Sequence, residues 1–281
     1  MENSCSCCRC RRPKLSDLGF STADCSVFHR PQWSKIPLIA FAVYRVVLAL
    51  YVTGFLLGVI VISVQHQGAE SFIYLTTYGF IIFAAYNAVA AFNVILDGCV
   101  RRHNPIQGNT RFNHQLHWFL FSITTNINFL VTIVYWGLIY SPGFLPLVYD
   151  LNMHTLTSVV CLLDLFLTAL PVRLLHFIYP LLVGSGYILF TLIYWSINPD
   201  DEPIYPFLDY SNDPGLAAAA VVGSSLVVII MQVIIWLIYQ LRLCIRIRCG
   251  YSLMARDSTG EECCFLDDQG SENEEVTTGQ V

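Results

Sequence analysis

Val46–Ala69, VVLALYVTGFLLGVIVISVQHQGA, carries no Asp, Glu, Lys or Arg. A helix crossing the hydrocarbon of a bilayer needs about 20 such residues, so this stretch alone reads as a membrane span. Its apolar pattern begins earlier, near Ile36. Working outward, Ser71–Leu96 is a second uncharged run and Phe112–Tyr149 a third. Pro142 and Pro146 end the third helix near Tyr140, because proline lacks an N–H and clashes with the preceding turn. Asn152–Leu170 is the fourth run, with one acid, Asp164. Leu174–Trp195 is the fifth and Leu216–Leu241 the sixth. The reading is an all-α integral membrane bundle of six transmembrane helices within 36–243, at about 36–64, 71–96, 115–140, 152–170, 174–195 and 216–241. A Cys- and Arg-rich arm, 1–35, precedes it and an acidic, Cys-containing tail, 244–281, follows.

Composition agrees. The 281 residues are 55% hydrophobic and only 12% charged, against roughly 25% charged in a soluble domain. That excludes an ordinary soluble enzyme. No basic stripe interleaved with aromatics supports nucleic-acid binding. Fourteen of the 15 Lys and Arg lie in the arm, the second loop, the fourth turn and the C-terminal side, whereas 65–70, 141–151 and 196–215 hold none. By the positive-inside rule both termini are cytosolic, in the plasma membrane or the endoplasmic reticulum. An even span count puts the two ends on one side. No cleavable signal pattern opens the chain, so the first span is expected to insert as a signal anchor. The tail after Arg256 has eight acids and no cation and reads as disordered.

Of the 11 cysteines, ten fall on the reducing side and Cys161 in the fourth span, which disfavours disulfides. The cluster Cys5, Cys7, Cys8 and Cys10, beside Arg9, Arg11 and Arg12, suits acylation that would pin the arm to the bilayer. Unmodified thiols and zinc are the alternatives, although the spacing is crowded for a two-plus-two metal site.

A charge inside the hydrocarbon costs at least ~2.5–3.5 kcal/mol, so each one needs a partner or an exit. Arg45 lies roughly 13 Å into the first span and Asp164 roughly 15 Å into the fourth from the opposite face, at 1.5 Å per residue. In a core of about 30 Å the two depths nearly coincide, and the expectation is an intramembrane ion pair. The alternative sends Arg45 to the headgroups and Asp164 to Asn126 and Asn128. His114 and His117 have a spacing that can hold a metal, but without carboxylates they read as an interfacial pair. Ala219 with Gly223, and Gly184 with Gly186, read as small-residue faces for close helix packing, and Pro180 as a bend in the fifth span.

One further pair could carry chemistry. Thr76, near the start of the second span, and His154, in the first turn of the fourth with Asn152 as an expected N-cap, sit at similar depth near the outward face. A hydroxyl beside a base is the minimum for an activated nucleophile, and at that depth it would meet lipid esters. Against this, threonine in a membrane helix usually bonds the backbone one turn back. No phosphate loop, GxSxG elbow, HExxH or dinucleotide fingerprint is present, so no metal and no cofactor is expected. The scarcity of polar groups within the spans argues against a lined pore. A small-molecule transporter is disfavoured by the lack of symmetry between the halves.

Ser71–Gly79 (SFIYLTTYG), with Gln32-Trp33, Tyr44-Arg45, Pro171–Pro180 (PVRLLHFIYP) and Gly186–Trp195 (GYILFTLIYW), resembles the rolling stone family over about 32–243. These are multi-pass membrane proteins, and the resemblance implies a role in development, cell contact or myoblast fusion. More distantly the layout is similar to the androgen-induced and androgen-dependent membrane proteins. Those are six-span hydrolases of fatty acid esters of hydroxy fatty acids that use a Thr nucleophile and a His. The matching residues are Tyr74-Leu75-Thr76, Asn152-Met153-His154-Thr155 with Asp164 ten further on, and Tyr205-Pro206-Phe207-Leu208. That likeness implies Thr76 as nucleophile and His154 as its base, with membrane lipids as partners and a lipid ester as substrate. The chain departs from it by Tyr for Phe before Leu75, a shorter Asn152-to-His154 spacing, and Asp for Glu at position 164.

Overall fold

The computed structural model describes residues 13–22, 24–66, 72–101, 110–143 and 146–248. Among these the secondary structure is helical: α1 Leu38–His66, α2 Leu75–Asn93, α3 Phe112–Val134, α4 Leu147–Leu151, α5 Thr157–Leu167, α6 Ile178–Ile197 and α7 Pro214–Arg248. Six helical runs are long and apolar enough to cross a membrane, α4 and α5 together forming one of them. Wider π-wound turns extend α2 through Val94–Val100 and α3 through Tyr135–Ile139, and join α4 to α5 at Asn152–Leu156. A 3-10 turn, Leu174–Phe177, leads into α6.

Some boundaries differ from the sequence reading, each for a local reason. The fourth span begins at Leu147, directly after Pro146, which takes the N-cap position. Asn152 is therefore no N-cap: it lies inside the helix, and its Nδ2 donates to the Val148 carbonyl at 2.7 Å. The same span stops at Leu167, where Thr168 turns to an extended backbone and forms an isolated bridge with Pro31. Pro180 sits in the first turn of α6, where a missing N–H leaves nothing unsatisfied.

α3 is the most enclosed span, and α6 and α7 are the least. Its sequence explains its place. Ser122, Thr124, Thr125, Asn126 and Asn128 lie at or near zero exposure on it, and hydrocarbon would leave such groups unsatisfied. Around it the bundle turns Leu, Ile and Val outward, as on α1 and α7. Apolar packing alone gives little drive to associate in lipid, so polar contacts and close packing must hold the helices together. One such contact is Asn126 Nδ2 donating to Gln232 Oε1 of α7 at 2.7 Å.

The arm is part of the fold. Its 3-10 turns, Leu15–Leu18 and Cys25–Phe28, lie across the end of the bundle where α1 starts and α7 ends, termed here the arm end. Phe20 packs against Trp118, Phe119, His176 and Tyr179. Arg173 donates to the carbonyls of Gly19 and Ser21 at 2.6 and 2.8 Å. The Trp33 indole N–H reaches the Phe166 carbonyl at 2.9 Å.

The glycines within α6 and α7 do not bring helices together. A Cβ added at Gly184, Gly186 or Gly223 would meet no atom within 4 Å. The expectation of close packing there is overturned, because these positions border open space.

Candidate functional site

Two sites emerge from the polar residues, one toward each end of the bundle. Toward the arm end, Arg45 Nη1 donates to Asp164 Oδ2 at 2.8 Å, with both side chains essentially fully buried. Tyr44 donates to Asp164 Oδ1 at 2.8 Å and Tyr86 to Oδ2 at 2.7 Å. Three donors on α1 and α2 thus surround one carboxylate on α5. The rings of Phe41, Tyr44 and Tyr86 lie 5.3, 5.4 and 5.7 Å from the guanidinium carbon, placing π faces around the cation. Arg45 does not reach for the headgroups, and Asp164 does not turn to Asn126 or Asn128.

Nearby, His114 Nε2 donates to Asp97 Oδ2 at 2.8 Å, and Arg101 donates to the other oxygen at 3.1 Å. Phe28 of the arm stacks on His114, the centroids 4.6 Å apart and the planes 3° from parallel. His117 turns elsewhere and receives a hydrogen bond from Asn93 at 3.2 Å. Among the described residues no group of three or more His, Cys, Asp or Glu is placed to hold a metal ion.

Arg242 follows the expected end of the sixth span at Leu241, on the C-terminal side, but lies within α7. It is 1% exposed and donates to the carbonyls of Leu165, Thr168 and Leu170 at 2.6, 2.7 and 2.9 Å. The end of α5 leaves carbonyls without helical partners, and Arg242 of α7 supplies the missing donors. His29, in the arm beyond the spans, has its pKa pushed below the usual histidine value, first by burial and then by Arg30 beside it.

Toward the other end, Thr76 lies in the first turn of α2 and lines a cavity of about 290 Å³ bounded by α2, α3, α6, α7 and the 198–213 loop. The Tyr205 hydroxyl of that loop accepts the Leu75 N–H at 3.0 Å and lies within hydrogen-bonding reach of Thr76. Burial raises the Tyr205 pKa. Its ring stacks on Phe207 at 5.2 Å and meets Tyr74 edge to face at 6.0 Å. The loop is thereby tied across the start of α2.

His154 lies elsewhere. It occupies the π-wound turn, its ring stacked on Tyr135 with the centroids 3.4 Å apart. Its Nδ1 is 3.2 Å from the Asp150 carbonyl. The Tyr135 hydroxyl donates to Asp150 Oδ1, and Tyr51 donates to Asn152 Oδ1. No hydrogen bond joins Thr76 and His154 among the described residues. Tyr135 touches both neighbourhoods: one side lines the cavity and the other covers the imidazole.

Sequence reasoning passed over Asp150, Tyr135 and Tyr86. Asp150 falls in the 141–151 stretch between the expected third and fourth spans, and tyrosines within apolar runs carry no charge to single them out. The signal that could have found Tyr86 is the number of donors a buried carboxylate requires. Cys5, Cys7, Cys8 and Cys10 lie outside the described residues, as do His103 and the tail beyond residue 248. Cys25 and Cys161 are buried, and neither forms a disulfide among the described residues.

Six apolar spans around an ion-paired interior define an integral, multi-pass helical membrane protein. The chain belongs to the rolling stone family, whose model, described as "Protein rolling stone", matches residues 3–255. It is similar to Protein rolling stone of Drosophila melanogaster, with 26% identity over 243 residues, covering 81% of this chain and 87% of that protein. The family match reaches beyond the expected 32–243 into the arm, whose described part is docked on the bundle. No solved structure matches this chain.

Proposed function

We propose that this protein acts in development at sites of cell contact and membrane fusion of the myoblast type, through its six-span bundle and the arm docked on it. The observation that carries this reading is a family match running through the arm and all six spans. The arginine distribution supports a cytosolic arm end, and acylation at Cys5, Cys7, Cys8 and Cys10 would then add a lipid anchor beside it. The plasma membrane or the endoplasmic reticulum is the proposed site of residence. The test is loss and rescue in fusing cells. Wild-type protein restores fusion, and a variant lacking the arm does not despite equal surface abundance. Fusion at normal frequency without the protein sinks the reading.

A second reading has one observation in its favour: Thr76 lines a largely apolar cavity. In that reading Thr76 Oγ attacks an ester carbonyl and passes its proton to His154 as base. The alcohol leaves, and water then releases the acid from the threonine. Among the described residues no hydrogen bond joins the two groups, and Tyr135 covers the imidazole, so the reaction requires a rearrangement that brings them together. A serine/threonine hydrolase probe tests this: labelling of the wild type that Thr76→Ala and His154→Ala both abolish supports it, and an unlabelled wild type ends it.

A further inference from the structure

The cavity beside Thr76 extends along α6. Its lining runs along α6 from Pro180 to Leu192, about 18 Å at 1.5 Å per residue. Its wall is Leu, Val, Ile and aromatic carbon, and no lining residue carries a formal charge. Leu189 and Leu192 line it and are also exposed on the outer surface of the span, so it meets the lipid-facing side of the bundle.

Most hydroxyls around it are already engaged. Ser224 and Ser225 donate to the Val221 carbonyl at 3.0 and 2.9 Å, and Tyr187 donates to the Ile73 carbonyl at 2.8 Å. Thr76 and Tyr205 gather at the end under the loop. Gly184 opens the wall on α6, where an added Cβ would meet nothing within 4 Å. Void along a helix pair forfeits packing contacts unless something fills it.

We propose that this cavity is a binding site for a neutral, single-chain lipid, its hydrocarbon lying along α6 and α7 and its uncharged polar end, an ester or alcohol, at Thr76 and Tyr205. An apolar lining that runs for several turns along α6 suits an extended hydrocarbon chain. The lack of any cationic lining residue disfavours a carboxylate or phosphate, whose charge would be buried without a partner. The site is the one invoked for ester hydrolysis, but binding does not require reaction at Thr76.

The test is photo-crosslinking of the full-length protein in phosphatidylcholine nanodiscs, with a diazirine-bearing monoacylglycerol and a diazirine-bearing fatty acid of equal chain length. The monoacylglycerol is expected to label peptides of α6 and α7 at least fivefold more than the fatty acid. Gly184→Leu, which fills the open space, lowers that labelling about tenfold. Ala220→Leu does the same from α7, so the test does not rest on one variant folding. Gly54→Leu, an open position on α1 away from the cavity, leaves it unchanged. Thr76→Ala, which removes one of the two polar contacts, lowers labelling about threefold without abolishing it but abolishes all reaction with the hydrolase probe, which separates loss of binding from loss of hydrolysis. Equal labelling by the anionic probe, or undiminished labelling in folded Gly184→Leu and Ala220→Leu, overturns the proposal.

Discussion

The two ends of this bundle solve opposite problems with the same helices. Toward the arm end, charge is abundant and each buried charge has partners: Asp164 has three donors, Asp97 has two, and Arg242 has three carbonyls. Around Thr76, formal charge is absent and packing is incomplete. The contrast teaches where stability and adaptability reside. In lipid, polar contacts join helices that apolar surface cannot join alone. The paired end can hold six spans together while the hollow end stays open to a guest.

The sharpest way to break that comparison is to remove one member of the central pair. Asp164→Ala strands Arg45 in a buried site, and losing one partner of such a pair costs about 3–5 kcal/mol. The expected result is a large fall in the thermal midpoint in detergent. The double variant Arg45→Met, Asp164→Leu should recover much of it, because no unpaired charge remains. If the double is as weak as the single, the pair is not what holds this end.

Arg242→Leu comes next. It leaves three carbonyls at the end of α5 without a donor, and hydrogen bonds to charged groups contribute about 1.5–3 kcal/mol. A loss of about 3 kcal/mol is expected, with faster hydrogen exchange confined to the 165–170 segment.

A smaller effect concerns pH. His29 has its pKa lowered by burial and by Arg30, and its Nδ1 is buried with no hydrogen-bond partner among the described residues. An unfolded or undocked arm would bind a proton at the ordinary histidine value of about 6.5. Stability from the docked, neutral ring is therefore complete above that value and is lost as pH falls toward the depressed folded value. Proteolysis of the arm should rise on acidification below about pH 6.5, and His29→Gln should flatten the dependence.

The smallest effect falls at the hollow end. Gly184→Leu meets open space and is expected to change the thermal midpoint of lipid-free protein little, by about 0.5 kcal/mol or less, as surface substitutions do. A large destabilisation there would show that the space is not open and would erase the contrast between the ends.

The spans were legible because charge-free runs and prolines are written directly in the sequence. Depth arithmetic set Arg45 and Asp164 at one level, since rise per residue is constant in a helix, and the structure has them 2.8 Å apart. What stayed hidden depends on facts that periodicity does not carry. Arg242 looks like a headgroup cation until the chain turns at Thr168 and leaves carbonyls beside it. Gly184 and Gly223 look like packing faces until their helices prove to be separated there. Thr76 and His154 share a depth, but the π-wound turn and the Tyr135 ring set their surroundings, and neither follows from residue spacing. Tyr205 could be matched only by resemblance, since loop residues have no period to read.

The central pair also has a schedule. Arg45 leaves the ribosome 119 residues ahead of Asp164. At roughly 5–20 residues per second, synthesis of the intervening chain takes roughly 6–24 s. Throughout that interval the opening helix carries a cation without the carboxylate that pairs with it in the folded protein. Final seating of the first helix must therefore await the fourth, and a nascent chain stalled before Asp164 should remain extractable from the translocation machinery rather than settle into lipid.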